Sequence, residues 1–253
     1  MVLAFVPGAA LASTSSERWS VDVKRQGTVV RSPSWKATVP GRWKLPVVTL
    51  RGMTAGPSLD GQSIVLVDAT ANRDRTATSF VVIQKLRVQT IDLPGKWEFD
   101  AVSPDASTVF LTESVGDNSY WVRSVDVASG KPRDRLVAKS IAPAPALPGV
   151  DNGPMQGVPV DRVTSVDGKT VYTLYDGPGH PFVHMLDTTS GGVLCFDLPS
   201  SMRLDARLLR LRRGPRDGLV DVLRAKKVVA QVVAPALGPA VRVADTPAPP
   251  ELS

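Results

Sequence analysis

The sequence is short of the residues on which protein chemistry most often depends. Its 253 residues include one cysteine, Cys195, and two histidines, His180 and His184. No internal disulfide can form, and a zinc site of His and Cys would consume nearly every candidate. Cys195 lies within Val193-Leu194-Cys195-Phe196, where a small buried apolar side chain is expected rather than a nucleophile. No G-x-S-x-G pentapeptide marks a serine nucleophile, and EF-hand spacing is absent. Gly153-Pro154-Met155-Gln156-Gly157 has no Lys-Ser/Thr after it and so is not a phosphate loop. No apolar run approaches the ~20 residues that span a bilayer as a helix. A helical apolar period is likewise missing over any long window, which argues against an α-helical fold.

What the chain has is a recurring turn. Ser58-Leu59-Asp60-Gly61 precedes Ile64-Val65-Leu66-Val67, Ser103-Pro104-Asp105-Ala106 precedes Val109-Phe110-Leu111, and Ser165-Val166-Asp167-Gly168 precedes Val171-Tyr172-Thr173-Leu174. Asp-Gly is a tight-turn dipeptide, because glycine takes positive φ without a Cβ clash and the carboxylate bonds nearby amides. Ala106 breaks the pattern, and Pro104 pre-sets a type I turn there instead. A second repeat follows each of the last two: Trp121-Val-Arg-Ser-Val-Asp126 runs into Val-Ala-Ser-Gly130, and Phe182-Val-His-Met-Leu-Asp187 into Thr-Thr-Ser-Gly191. Ser103 to Ser165 is an interval of 62 residues and Asp126 to Asp187 one of 61. Each module offers four short strands: Phe99 to Ser103, Thr108 to Thr112, Tyr120 to Val127 and Arg135 to Ala138 in one, and Pro159 to Ser165, Thr170 to Tyr175, Phe182 to Asp187 and Val193 to Leu198 in the next. Short strands with turns at this density predict an all-β fold, a β-propeller of four-stranded blades.

The Ser-Pro-Asp-Ala-Ser-Thr-Val-Phe-Leu and Ser-Val-Asp-Gly-Lys-Thr-Val-Tyr stretches resemble the signature of bacterial YVTN-type and TolB-like β-propellers, and Val-Asp-Val-Ala-Ser-Gly resembles their strand ending. Thr170-Val-Tyr-Thr-Leu-Tyr-Asp-Gly with His180-Pro-Phe-Val-His-Met-Leu-Asp-Thr resembles propeller-like proteins of high-GC actinobacteria. The resemblance covers Val48 to Val233 and implies fold more than activity, since propellers host unrelated functions.

The boundaries follow. Residues 1–16 read as the remnant of a signal peptide, because Leu3 to Ala12 is apolar and ends in Ala10-Leu11-Ala12, although no basic stretch precedes it. Residues 17–234 read as the propeller, with blades near 48–93, 97–139, 158–198 and 203–233. About five units of ~45 residues fit, too few for seven blades, so the ring is either small or incomplete and open. The segment Glu17 to Val48, whose strands Trp19 to Val23 and Thr28 to Arg31 lack the turn signature, is expected to supply a partial or ring-closing blade. Residues 235–253, rich in Pro and Ala, read as a flexible tail.

A formal charge of +6 concentrates in Arg203, Arg207, Arg210, Arg212, Arg213 and Arg216. With no interleaved aromatics this run does not suit specific nucleic-acid binding. It fits a solvated strand, or weak contact with an anionic surface.

In propellers of the resembled kind, function gathers in loops joining second to third strands and one blade to the next. Here those are residues 68–78, 113–119, 140–157 and 176–181. Their candidate binding residues are Asp74, Asp117, Asn118, Asp151, Asn152, Asp176 and His180. Asp and Asn could converge on a hard cation, yet they are also ordinary turn residues, so no metal site, catalytic set or cofactor is assigned. His184 alternates with Phe182 and Leu186 and reads as structural; His180 is the sole candidate proton carrier. The expected function is a non-enzymatic, exported or envelope-associated module that binds a protein or glycan partner through the loop face. The alternatives are a lactonase-like propeller hydrolase and a sensor or scaffold domain of a longer protein, with a cytoplasmic location as the alternative to export.

Overall fold

The computed structural model describes residues 19–32, 34–72, 74–84, 87–116, 119–136, 139–141, 154–216, 218–234 and 240–243. Five sheets follow one another along the chain. The first holds β1 (Ser20–Lys24), β2 (Gly27–Arg31) and β3 (Lys36–Val39). The second holds β4 (Trp43–Lys44), β5 (Ser63–Asp68), β6 (Ala77–Gln84) and β7 (Arg87–Pro94), and the third β8 (Trp97–Val102), β9 (Thr108–Gly116), β10 (Ser119–Asp126) and β11 (Lys131–Leu136). Two short strands come next: β12 (Lys139–Ile141) runs parallel beside the last strand of the fourth sheet, and β13 (Met155–Gln156) adds to the third beside β10. The fourth sheet is β14 (Val158–Thr164), β15 (Thr170–Asp176), β16 (Phe182–Asp187) and β17 (Val193–Asp197); the fifth is β18 (Arg210–Arg213), β19 (Leu219–Arg224), β20 (Lys227–Val233) and β21 (Ala240–Val243). A 3₁₀ helix, Ser200–Leu208, links the last two sheets.

In the second, third and fourth sheets the innermost strand turns back antiparallel into the next because each Ser-x-Asp turn closes the same way. At Ser165 the hydroxyl donates to Asp167 Oδ1 at 2.7 Å, the Lys169 amide donates to the same oxygen at 3.1 Å, and the Thr170 amide donates to Ser165 Oγ at 2.9 Å. Ser58-Asp60 and Ser103-Asp105 repeat these contacts. Gly61 and Gly168 stand at φ 70° and 73°, and Ala106 takes the same left-handed geometry at φ 54°. The alanine turn is therefore the same turn as its glycine counterparts, not a different one.

The sheets stack face to face like blades. Alternate residues on a strand point to opposite faces, so Ile64 and Leu66 pack toward the first sheet with Val30 and Val39, while Val65 packs toward the third with Trp97 and Val109. Phe110, Tyr120, Tyr175 and Phe182 fill the space between third and fourth sheets, and Tyr172, Phe196, Leu209 and Val222 that between fourth and fifth. Burial on both faces explains why these strands are continuous apolar runs. Each fully buried Phe among them contributes about 2–3 kcal/mol of transfer free energy.

Four clusters join five sheets, and among the described residues none joins the fifth to the first. The architecture is an open β-propeller. Each of its two outward faces carries paired charges. On the first sheet Asp22 and Arg31 form an ion pair on the face opposite Val21 and Val30. On the fifth, Asp221 accepts from Arg212 at 2.7 Å and from Gln231 at 2.8 Å.

A further repeat sits in the connections between sheets. Pro40-Gly41-Arg42-Trp43 and Pro94-Gly95-Lys96-Trp97 both leave an outer strand and begin the next inner one. In each, a threonine from the preceding sheet bridges the loop: Thr28 Oγ1 donates to Gly41 O and accepts from the Trp43 amide, and Thr78 Oγ1 does the same with Gly95 and Trp97. The match places β1 to β3 at the second to fourth positions of a blade. The first position of that blade is not filled among the described residues.

Two expectations require correction. The segment read as a flexible tail contains β21, whose Ala240 to Val243 pair with Val233 to Ala230; the short Ala-Val-Arg-Val alternation is masked in the sequence by the prolines around it. The outer strand expected at Arg135 to Ala138 begins earlier, at Lys131, directly after the Asp126–Gly130 turn.

Candidate functional site

The second sheet departs from the repeat at its inner edge. Six residues separate Trp97 from Ser103, whereas fifteen separate Trp43 from Ser58. The nine extra residues form a hairpin set into the innermost strand, with Val47 bridging Thr54 and Gly56 returning to Val65. Its tip turns at Gly52, where φ is 78°. The hairpin reaches across the centre: the Leu50 amide donates to Pro159 O of β14 at 2.9 Å, and Arg51 donates to the carbonyls of Arg207 and Leu209. One insertion thus ties the second sheet to the fourth and to the approach of the fifth.

This places an apolar surface on the loop face. Leu204 is 97% exposed and Leu208 61%, both on the 3₁₀ helix, and Leu50 at the hairpin tip is 54% exposed. Val47 and Met53 are exposed beside it. Because Arg51 grips the residues on either side of Leu208, the hairpin tip and the helix form neighbouring parts of one surface. Large apolar side chains grouped in solvent signal a contact surface more strongly than isolated ones do.

The candidate residues divide. Asp74 lies exposed in the β5–β6 loop, its amide bonded to Asn72 Oδ1 at 3.1 Å. In the same loop Arg75 donates to Trp97 O at 2.7 Å and pins the loop to the third sheet. Asp176 accepts from Arg207 Nε at 2.9 Å, joining the end of β15 to the 3₁₀ helix. His180 Nε2 lies 3.0 Å from Asp197 Oδ1. Asp117, Asn118, Asp151 and Asn152 lie outside the described residues.

His180 and Asp197 edge a cleft of about 270 Å³ that Met155, Gln156, Phe182 and Cys195 also line. Cys195 is buried with Sγ 4.0 Å from His184 Nδ1, and His184 is itself buried. Behind them the Tyr175 ring stacks on Phe182 with centroids 5.1 Å apart. Burial pushes the Tyr175 and Tyr120 hydroxyls above their ordinary pKa, and for Tyr120 the neighbouring Tyr175 adds to this. Both therefore stay neutral. Among the described residues no three His, Cys, Asp or Glu side chains gather as metal ligands.

The arginine run is not one surface. Arg203 and Arg207 ride the 3₁₀ helix, Arg210, Arg212 and Arg213 lie on β18, and Arg216 follows in a turn. Arg207 and Arg212 are paired with Asp176 and Asp221. The leucines hidden among these arginines, together with Asp197, are what the sequence reading missed. Leu204 and Leu208 had a visible signal, apolar residues in an Arg-rich stretch, but their exposure depends on the 3₁₀ helix.

No family model matches the sequence, and no curated protein matches it. Among solved structures it is similar to a functionally unknown protein from Desulfotomaculum acetoxidans DSM 771, at 14% identity over 92% of this chain and 68% of that one, with a TM-score of 0.48. A putative TolB from Agrobacterium tumefaciens is similar at 12% identity over 91% and 77%, with a TM-score of 0.42. A prolyl endopeptidase structure is similar at 12% identity over 91% of this chain and 37% of that one, with a TM-score of 0.46. At these TM-scores the likenesses carry no argument, and the propeller architecture rests on the five sheets themselves. No helix among the described residues is long and apolar enough to cross a membrane.

Proposed function

We propose that the chain is a binding module, exported or associated with the cell envelope, that engages a protein partner through its loop face. The observation that carries this is the exposed apolar surface of Leu50, Leu204 and Leu208. Those side chains gain free energy only if a partner covers them, on the order of 1.5–3 kcal/mol for each that becomes fully buried. The arginines around them would set orientation and encounter rate more than affinity. The His180–Asp197 cleft supplies a recess with a polar edge on the same face. Export is supported by the Ala10-Leu11-Ala12 pattern, and kinship with YVTN-type propellers by the Ser-x-Asp turns.

Site-specific photo-crosslinking in the native host tests this. A crosslinking side chain at position 204 or 50 is expected to capture one common protein from the envelope fraction, and the same group at Val166, also exposed but on the opposite face, is expected not to. Equal capture from all three positions, or none from 204 and 50, overturns the proposal.

A further inference from the structure

The Ser-x-Asp turns do more than join strands. Three of them converge on the face opposite the loops. A Cβ added at Gly168 would stand 2.9 Å from Leu59 Cβ, so the turns of the second and fourth sheets touch. Beneath them lies a cavity of about 450 Å³, the largest of those described, which Pro104 of the third turn also borders. Its walls are apolar: Pro57, Leu59, Phe99, Ala101, Val102 and Val171. Its charged groups are Asp60 and Asp167 at the turns and the pair Asp100 and Arg162 at the base.

The base is incompletely satisfied. Arg162 donates through its two terminal nitrogens to Asp100 Oδ1 and to the Asp100 carbonyl. Asp100 is 1% exposed, yet its Oδ2 has no hydrogen-bond partner, and neither has Arg162 Nε. An unpaired buried carboxylate oxygen costs free energy unless a donor reaches it. With the base pair neutral as a unit and Lys169 Nζ 3.8 Å from Asp167 Oδ2, Asp60 leaves the cavity one net negative charge in a chain whose formal charge is +6. An apolar wall with acid at rim and base suits a cationic head on an aliphatic stem, which buries its methylenes and donates from its nitrogen.

We propose that this turn-face cavity binds a lysine- or arginine-like group, a cationic nitrogen carried on an aliphatic chain. It is a second site, independent of the loop face. Lining it with three copies of one turn gives the repeat a binding role as well as a structural one.

The test titrates the full chain, isotopically labelled, with N-acetyl-arginine amide, N-acetyl-lysine amide and the neutral N-acetyl-norleucine amide. The proposal expects saturable shifts of the Leu59, Ala101 and Gly168 amides with one or both cationic probes and none with the neutral one. Asp60→Asn and Asp167→Asn, each first shown to be folded by its thermal transition, are expected to weaken that binding about three- to fivefold, as is typical for an exposed charge. The proposal is overturned if the neutral probe shifts the same amides equally, or if neither cation shifts them, which would assign the unpaired atoms to bound water alone. The comparison of charged with neutral probes on the unaltered chain stands even if a variant fails to fold.

Discussion

Arg162 of β14 is held by Asp100 of β8 through both the carboxylate and the main-chain carbonyl, so a single buried contact spans the third and fourth sheets at their inner edges. The geometry has a local cause. The register of β8 against β9 slips between Phe99 and Ala101, leaving Asp100 as the extra residue of a bulge that turns it toward β14. On the other side of β14, Asp161 accepts the Leu211 amide of β18 at 2.8 Å. The inner strands are thus linked in series by polar contacts while the blades behind them are linked by apolar ones.

Removing one member of that ion pair strands the other in the interior. Arg162→Met is expected to lower the unfolding free energy by about 3–5 kcal/mol, and Asp100→Leu by a similar amount. The double change leaves no orphan charge and is expected to recover most of the loss. Urea unfolding of the three variants checks this. A single-variant loss below ~1 kcal/mol, or a double variant no better than the singles, would show that the pair is not the link between these sheets.

How much of this was legible in the sequence depends on whether the cause is local. The turn at Ser165 to Gly168 is written in four adjacent residues, so the blades could be placed and counted. The double burial of β5 was legible as the run Ile64 to Val67. The Pro-Gly-x-Trp connections were visible too, but their meaning depends on Thr28 and Thr78, fifteen and nineteen residues before the tryptophans whose amides they accept. Nothing local distinguishes the Val47–Thr54 hairpin from an ordinary loop, because its partners Pro159, Arg207 and Leu209 lie more than a hundred residues away. His180 was a candidate, whereas Asp197 was not; the two meet because Phe182 pairs with Asp197 across β16 and β17. The Asp100–Arg162 contact needs a bulge and two facing sheets, and neither is encoded in spacing.

The repeated turns predict a particular pH dependence. The Ser103 hydroxyl and the Ser107 amide hold the Asp105 carboxyl below its usual value of 3.8, and Ser165 and the Lys169 amide do the same for Asp167. At Asp126 the Ser129 amide leads, followed by its hydroxyl. At Asp187 partial burial pulls upward, but the donors from Ser190 and Thr189 outweigh it. A folded-state pKa below the unfolded one stabilises the fold above ~3.9, and this contribution is lost as pH falls through the folded values. Tyr120 and Tyr175 have the opposite sign: raised above 10, they stabilise below that pH and destabilise above it. Stability is therefore expected to be level between about pH 5 and 9 and to fall on both sides. Carboxyl NMR titration gives the direct check: Ser165→Ala should raise the Asp167 pKa toward 3.8, and an unchanged value would remove the hydroxyl from the account.

The charged row on the outward face of the fifth sheet sets it apart from the faces that stack on a neighbour. A sheet stacked on a neighbour presents apolar rows to both sides, as β5 does, whereas the fifth sheet presents Leu211, Val222 and Ala230 to the fourth and, on its other face, a row of Arg212, Asp221 and Gln231 flanked by Leu223 and Val233. The first sheet answers with Asp22 and Arg31. Replacing the outer row by Arg212→Val, Asp221→Val and Gln231→Val together would make this face resemble an internal one, and an exposed apolar face of that size favours association. The triple variant is expected to show more concentration-dependent dimers or higher species in sedimentation velocity than the unaltered chain does. Asp221→Val alone leaves Arg212 and Gln231 without their shared acceptor and is expected to cost about 1–3 kcal/mol of stability. A folded triple variant that associates no more than the unaltered chain would mean that this row does not limit association.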